Sequence, residues 1–424
     1  MGFFSKYKKI IILIIFLAFV CLLGYLLWRT FFSSPTQDNL IFTDSTKNIG
    51  GLSLSDSGQP GFSTSSGDGR LDTGDNIGPS GQINNPNLTR PNGNEASNLA
   101  VGGITKVSTL TKDPVLNPIM SSNNQLRYYN PKDGKFYKLD SNGQLVTLSD
   151  KVFHQVQDVT WSTDGNQVIL TYPDGSKINY NFSTAKQVTL PSHWEDFSFS
   201  PNGNNITAKS MGYDVENRYL ITANADGSKA ISLSAIGNNA DDVYPIWSPN
   251  NQAAAMYTRG IDFNRQEVFF VGLNGENFKS TIINGRGFEP QWSDTGDKLL
   301  YSVYSSDNNM NPSLWIVNAQ GDNIGQNRTN LGLSTWASKC SFATNTEVYC
   351  AVPVNLPEGS GLFPELADTT TDILYKIDTT TGSKKLIAIP ENASNISSIM
   401  VASEQTVLYF TDKTTGKIYS IQLK

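Results

Sequence analysis

Repeated copies of one hairpin, a spacing of 38 to 59 residues between successive copies, and a chain poor in charge predict an all-β fold. The fold is a β-propeller of four-stranded blades. Four copies are clear: "QDVTWSTDGNQVILTY" from Gln157, "WEDFSFSPNGNNITAK" from Trp194, "VYPIWSPNNQAAAMYT" from Val243 and "FEPQWSDTGDKLLYSV" from Phe288. Each sets an aromatic residue just before a polar turn: Trp161, Phe199, Trp247 and Trp292. An apolar run starts seven positions later, at Val168, Ile206, Ala254 and Leu299. Only 17% of the 424 residues are charged and 35 are glycine, a composition suited to strands joined by many turns.

The chain begins with a different kind of segment. Ile10 to Trp28 is 19 residues without a charge, long enough to cross a bilayer as a helix. Lys6, Lys8 and Lys9 precede it and Arg29 follows. The positive-inside bias places residues 1–9 in the cytoplasm and the remainder on the extracytoplasmic side of the cell membrane, so a single-pass protein is expected. The run ends in Leu-Leu-Trp-Arg-Thr-Phe-Phe, without the small-x-small site at which a signal peptide is cut. An uncleaved signal anchor is the reading adopted.

Residues 29–103 read as a flexible, low-complexity linker rich in Ser, Gly, Asn, Asp and Pro, with apolar residues scattered singly. Such a stretch buries too little apolar surface to offset its ordering entropy. As a coil its ordinary reach is about 45 Å, enough to hold the next domain off the membrane.

Residues 104–424 are periodic. Beyond the four clear copies, three weaker ones are anchored at Met120, Phe342 and Val401. Successive anchors then lie 41, 38, 48, 45, 50 and 59 residues apart, the period of a propeller blade. Each unit has a second half, another strand, a tight turn and a strand, as in "KFYKLDSNGQLVTL" and "EVFFVGLNGENFKSTI". Asn-Gly, Asp-Gly and Thr-Gly pairs sit where the turns need positive φ. A four-stranded sheet cannot bury both faces alone; radial packing of such sheets buries both. The repeated Trp is expected to pack between neighbouring blades. Seven anchors predict seven blades, with six or eight left open by the degenerate copies. The last unit stops after its third strand, and "ITKVSTL" from Ile104 resembles a fourth, so strand 104–110 is expected to close the ring on the last blade.

"YPIWSPNN", "FSFSPNGNN" and "EPQWSDTGDKLLYSV…LWIVNAQGDN" resemble the TolB-type branch of WD-like propeller repeats over about three quarters of the chain. The turns depart from the family pattern at Asn250-Asn251, at Asp294-Thr295-Gly296 and in the sixth copy, which lacks a glycine. The resemblance implies the fold and speaks weakly of function, because the family spans binding proteins and peptidase-associated propellers.

Chemistry is expected at the loops. The second-to-third-strand loops lengthen in units three to six, from "SMGYDVEN" to "PVNLPEGSGLFPELADTTT", building up one side of one face, and loops on a rigid scaffold carry function. The blade-to-blade loops feed the central channel. Their aromatics Trp194, Tyr244, Phe288 and Trp336, with Glu195, Asp241, Asp242, Arg286 and Glu289, are the candidate ligand-binding residues of a channel mouth. Outside residues 1–32 the chain carries 28 basic and 38 acidic residues, a net of −10, which argues against a nucleic-acid partner. No G-x-S-x-G, H-E-x-x-H or Walker A motif occurs, and no catalytic residue, metal ligand or cofactor is expected; His154 and His193 are loop residues without a short-spaced ligand pair. The expected role is a non-catalytic binding or scaffold module for a protein, peptide or envelope glycan. The alternative is a propeller hydrolase or lyase acting on polysaccharide at the channel mouth.

One covalent link is expected. In "CSFATNTEVYC" a hairpin centred on Asn345 sets Phe342 opposite Val348 and Cys340 opposite Cys350, within disulfide reach. An extracytoplasmic location permits oxidation. Cys21, in the membrane span, stays unpaired.

Overall fold

The hairpins of the repeat pair in the register that the spacing implies. Trp161 lies opposite Val168, Phe199 opposite Ile206, Trp292 opposite Leu299, Met120 opposite Leu126 and Phe342 opposite Val348. Two copies differ. In the three weaker copies the apolar run starts six positions after the anchor, at Leu126, Val348 and Val407, and in the last of these Val401 faces Leu408, one residue past that start. Trp247 falls beyond the short strand Val243–Tyr244, and its indole N–H instead bonds Asn251 Oδ1 in its own turn, at 2.7 Å.

The computed structural model describes residues 20–23, 95–140 and 143–424. The span expected at 10–28 lies outside them, except for Val20–Leu23, which are helical; the linker lies outside up to residue 94. Among the described residues no helix is long and apolar enough to cross a membrane.

The strands form seven sheets, the blades of a seven-bladed β-propeller. Blade one opens with Leu116–Met120, blade two with Asp158–Trp161, blade three with Trp194–Phe199 and blade four with Val243–Tyr244. Arg286–Trp292, Cys340–Phe342 and Ile396–Val401 open blades five, six and seven. These are the innermost strands, and that of blade seven lies beside that of blade one, closing the ring.

The core sits between blades. Ile169 and Leu190 of blade two pack on Phe199 and Ile206 of blade three, and Leu300 and Leu314 of blade five on Val348 and Cys350 of blade six. Met400 and Ile418 of blade seven meet Leu126 and Tyr128 of blade one. The anchor tryptophans tie blades by polar contacts as well. Trp161 Nε1 donates to the Asn117 carbonyl at 2.8 Å and Trp292 Nε1 to the Ile246 carbonyl at 3.4 Å, each on the preceding blade.

The serine after the anchor has a separate job. Ser162, Ser200, Ser248 and Ser293 are buried. Their Oγ atoms accept the backbone N–H of Gln167, Asn205, Ala253 and Lys298 at 2.9–3.1 Å, closing the turn. Turns then dock on neighbours: Gln167 donates to the Gly203 carbonyl at 2.9 Å and Asn250 to the Gly296 carbonyl at 2.8 Å. Gly165 is required twice over, by its φ of 68° and because a Cβ there would lie 2.8 Å from Arg127 Cδ.

Ring closure differs from the sequence expectation. The segment 104–110 does not act as one strand. Ser108–Thr109 pairs antiparallel with the third strand of blade seven, Ser108 opposite Ser420 and Thr109 opposite Tyr419. Gly103–Thr105 instead joins blade six as a fifth strand, parallel to Lys384–Pro390. The chain therefore crosses from one blade to the next, and both are clasped.

Cys340 and Cys350 face each other across their hairpin, Cα atoms 4.1 Å apart, and are disulfide-bonded. The turn between them carries no glycine; Asn345 accepts Thr295 Oγ1 at 2.6 Å and so rests on the turn of blade five. Replacing Cys350 with serine is expected to remove on the order of 2–3 kcal/mol, the stabilisation a short closed loop gives. Denaturant melts of wild type and variant, each with and without reductant, measure it. Reductant should weaken the wild type alone.

Candidate functional site

Each innermost strand starts on the face that carries the blade-to-blade loops and the long loops between second and third strands. Short 3-10 turns shape this face, including Ala240–Asp242, Ala337–Lys339 and Pro364–Ala367. The mouth of the channel opens here.

The nine candidate residues separate into three groups. Trp194 is buried with Leu190, Ile206 and Ala223 between blades two and three. Phe288 is buried too, its ring edge-on to Tyr244 at 5.5 Å and tilted against Tyr301 at 5.7 Å. These aromatics, with half-buried Tyr244, belong to the core and not to a ligand surface. Glu195, Asp241 and Asp242 are exposed on blades three and four, where Thr258 Oγ1 donates to Asp242 at 3.4 Å. The half-buried Arg286 guanidinium lies so close over Gly260 that a Cβ there would sit 2.4 Å from Nη1.

Glu289 and Trp336 form the third group, and they share a cavity of about 250 Å³ at the mouth, on blades five, six and seven. The sequence reading missed the charged and polar side chains that complete its wall, among them Lys339, Asp368, Asn395, Ser397 and Lys413. Lys339 is buried and its Nζ lies 2.9 Å from both carboxylate oxygens of fully buried Asp372. It also stands 5.7 Å over the Trp336 ring. Asp372 in turn accepts the backbone N–H of Ile396 at 2.6 Å, so the pair joins blade six to blade seven. Burial pushes the Asp372 carboxyl above its ordinary range, opposed by the adjacent ammonium and by that N–H. Asn395 donates to the carbonyls of Ala367 and Asp368 at 2.8 and 2.9 Å, and Asp368 pairs with Lys413.

A wider cavity of about 690 Å³ continues along the channel wall past Asn117, Val159, Trp161 and Thr411. Ser397 and Lys413 line both cavities. The carboxylates of the mouth are compensated from within. Glu289 accepts the Ser338 N–H at 2.6 Å, Asp368 meets Lys413, Asp372 meets Lys339, and Asp412 accepts the N–H groups of Asn395 and Thr415. What a ligand can still reach is the Trp336 ring, the hydroxyl oxygen of Ser397, whose hydrogen goes to the Thr411 carbonyl, and the outer side of the half-exposed Lys413 ammonium, a set that suits polar neutral matter such as peptide backbone or sugar hydroxyls. His154 and His193 are exposed. Among the described residues no group of three His, Cys, Asp or Glu side chains is placed to hold a metal ion.

The missed residues left a faint trace in the sequence. A lysine directly precedes Cys340, and an acid directly precedes the apolar run Ile373–Tyr375, positions where burial makes an unpaired charge untenable.

No protein-family model matches the chain, and no curated protein matches it. Among solved structures it is similar to the β-propeller domain of the Trilobed protease from Pyrococcus furiosus, with 11% identity and a TM-score of 0.49, covering 73% of this chain and 95% of that one. It is similar to the β-propeller domain of Cps50 (Swd1) from Myceliophteria thermophila, with 13% identity and a TM-score of 0.49, covering 75% and 100%. Oligogalacturonate lyase from Vibrio parahaemolyticus is a third, with 11% identity and a TM-score of 0.47, covering 75% and 93%. At these identities the activities of those proteins do not carry over to this chain.

Proposed function

We propose that this chain is a membrane-anchored propeller, its blades on the extracytoplasmic side, acting as a non-catalytic binding or scaffold module for a protein, peptide or envelope glycan. The observation that carries the reading is the mouth on blades five to seven: a preformed cavity beside Trp336 whose carboxylates are each already held by a cation or a backbone N–H. A general acid or base needs a carboxyl free to exchange its proton with substrate. Groups committed to structural pairs suit binding better than turnover. The anchor rests on the uncharged run at 10–28 and its basic flanks.

Two measurements test this. The full-length chain in nanodiscs is applied to arrays of peptides and envelope glycans. A discrete ligand set is expected, and Trp336→Ala should weaken its binding at least ten-fold while the melting temperature holds. Turnover of an array glycan would replace the binding reading with the enzymatic one. Protease added outside intact spheroplasts should remove the propeller and leave a short membrane stub; full protection would reverse the orientation.

A further inference from the structure

The longest loop of the loop face belongs to blade six, and it exposes five consecutive residues, Leu362 to Leu366. Leu362 is 46% exposed, Phe363 51% and Leu366 42%. Exposed apolar residues in a row are unusual on a soluble surface and mark contact sites. This loop is also held in place. Gly359 and Gly361 donate their N–H groups to the carbonyls of Asn309 and Met310 at 2.9 and 2.8 Å, and the Ser360 N–H bonds Asn311 Oδ1 at 3.1 Å. Gly361 sits so tightly on blade five that a Cβ would lie 2.5 Å from Tyr304 Cβ. On the far side Asn395 and Lys413 hold Ala367 and Asp368.

The blade-five loop is tied in turn to that of blade four, where Asn264 Nδ2 donates to Ser306 Oγ at 2.7 Å. There Phe263 is 70% exposed. Loops of three blades thus form one hydrogen-bonded wall with Phe263, Leu362, Phe363 and Leu366 turned outward. Its exposed unpaired charge is acidic. The exposed cations are engaged, Arg265 by Asp262, Arg259 by Glu267 and Lys413 by Asp368, while half-buried Arg286, packed over Gly260, has no ion pair among the described residues. Asp307, Glu358 and Glu365 are exposed and, among the described residues, have no cation partner.

We infer that this wall on blades four to six is the docking surface for a partner polypeptide, whose contacting segment carries apolar side chains flanked by lysine or arginine. The inference rests on the binding-module reading and adds where and what the module binds. The wall is preorganised, so little ordering entropy opposes docking. Its uncompensated acids complement a basic partner and disfavour the alternatives. A second copy would set the same acids against themselves across a two-fold contact. The chain's own residues 24–94 carry four bases against six acids, the wrong sign. An anionic bilayer repels this surface, and Glu365, between Phe363 and Leu366, would have to be desolvated to enter one.

The test uses the full-length chain in the cells that make it, with a photo-crosslinking phenylalanine analogue at position 263, at 363, or at the control position 188 on the outer strand of blade two. The expected result is an adduct to one and the same polypeptide from 263 and 363 and none from 188. The crosslinked segment, mapped by mass spectrometry, should hold apolar residues and net positive charge. Phe363→Ser with Leu366→Ser should cut the yield from 263 at least ten-fold without lowering the melting temperature. Adducts to lipid alone, to a second copy, to residues 24–94, to an acidic segment, or to nothing would overturn the inference. A chain that gives the expected adduct but binds no array ligand loses the channel-mouth site and keeps this surface; the converse result discards this surface.

Discussion

Lys339→Met is expected to destabilise the propeller by about 3–5 kcal/mol, the usual consequence of leaving one partner of a buried ion pair uncompensated. Lys339 is the cation for Asp372, whose side chain has no exposed surface, and Asp372 also anchors the Ile396 N–H of the next blade. The melting temperature should fall on the order of 5–10 °C. Adding Asp372→Asn to Lys339→Met should restore more than half of the loss. The amide oxygen still accepts the Ile396 N–H, and no charge remains buried. The pH dependence has a definite sign. A carboxyl whose folded-state pKa is raised contributes stability that is full below its unfolded value and lost as pH rises through the folded value. Burial raises Asp372, and removing Lys339 removes the main opposing effect. The deficit of Lys339→Met should therefore shrink as pH is lowered from neutral. Denaturant melts of wild type, both single variants and the double variant at two pH values measure all of this. Single variants that each lose under 1 kcal/mol would show that the pair does not hold blades six and seven together.

Deleting residues 103–110 should open the ring. The segment supplies the fifth strand of blade six and the fourth of blade seven. Its removal takes away, among others, the bonds from the Glu391 N–H to the Thr105 carbonyl, from the Leu110 N–H to the Ile418 carbonyl, from the Val107 N–H to Glu391 Oε1 and from Ser420 Oγ to the Ser108 carbonyl. At about 1 kcal/mol net each the loss is on the order of 4 kcal/mol. It also bares two strand edges, which invite pairing with other chains. The expected outcome is a lower melting temperature and soluble aggregates by size-exclusion chromatography. Deleting 103–105 alone should strip only blade six and cost less, because blade seven keeps its fourth strand. A full deletion that stays monomeric and melts like wild type would refute closure by this segment.

The legible features of this chain are local. A blade is one run of sequence, so its hairpins, its turns and the number of blades follow from residue spacing and turn chemistry. The Cys340–Cys350 link belongs with them, because a ten-residue separation across one turn fixes which residues face each other. Residue type and loop position also brought Glu289 and Trp336 into view. Trp194 was misplaced by a subtler effect. It lies an odd number of positions before Phe199, which strict alternation would put on opposite faces of the strand. A bulge between Glu195 and Ser198, with Asp196 at a φ of 52°, adds a residue and turns both rings into the same core. The clasp segment was read as one strand because nothing in seven residues says that two blades will share it. Tertiary structure alone decided the mouth. Lys339, Asp372 and Asn395 meet only when blades six and seven pack against each other, and the long blade-six loop becomes a wall only by bonding to blade five. Repeat spacing is written along the chain; the pairing of charges between blades is set by packing, where burial leaves a charge no choice but to find its partner.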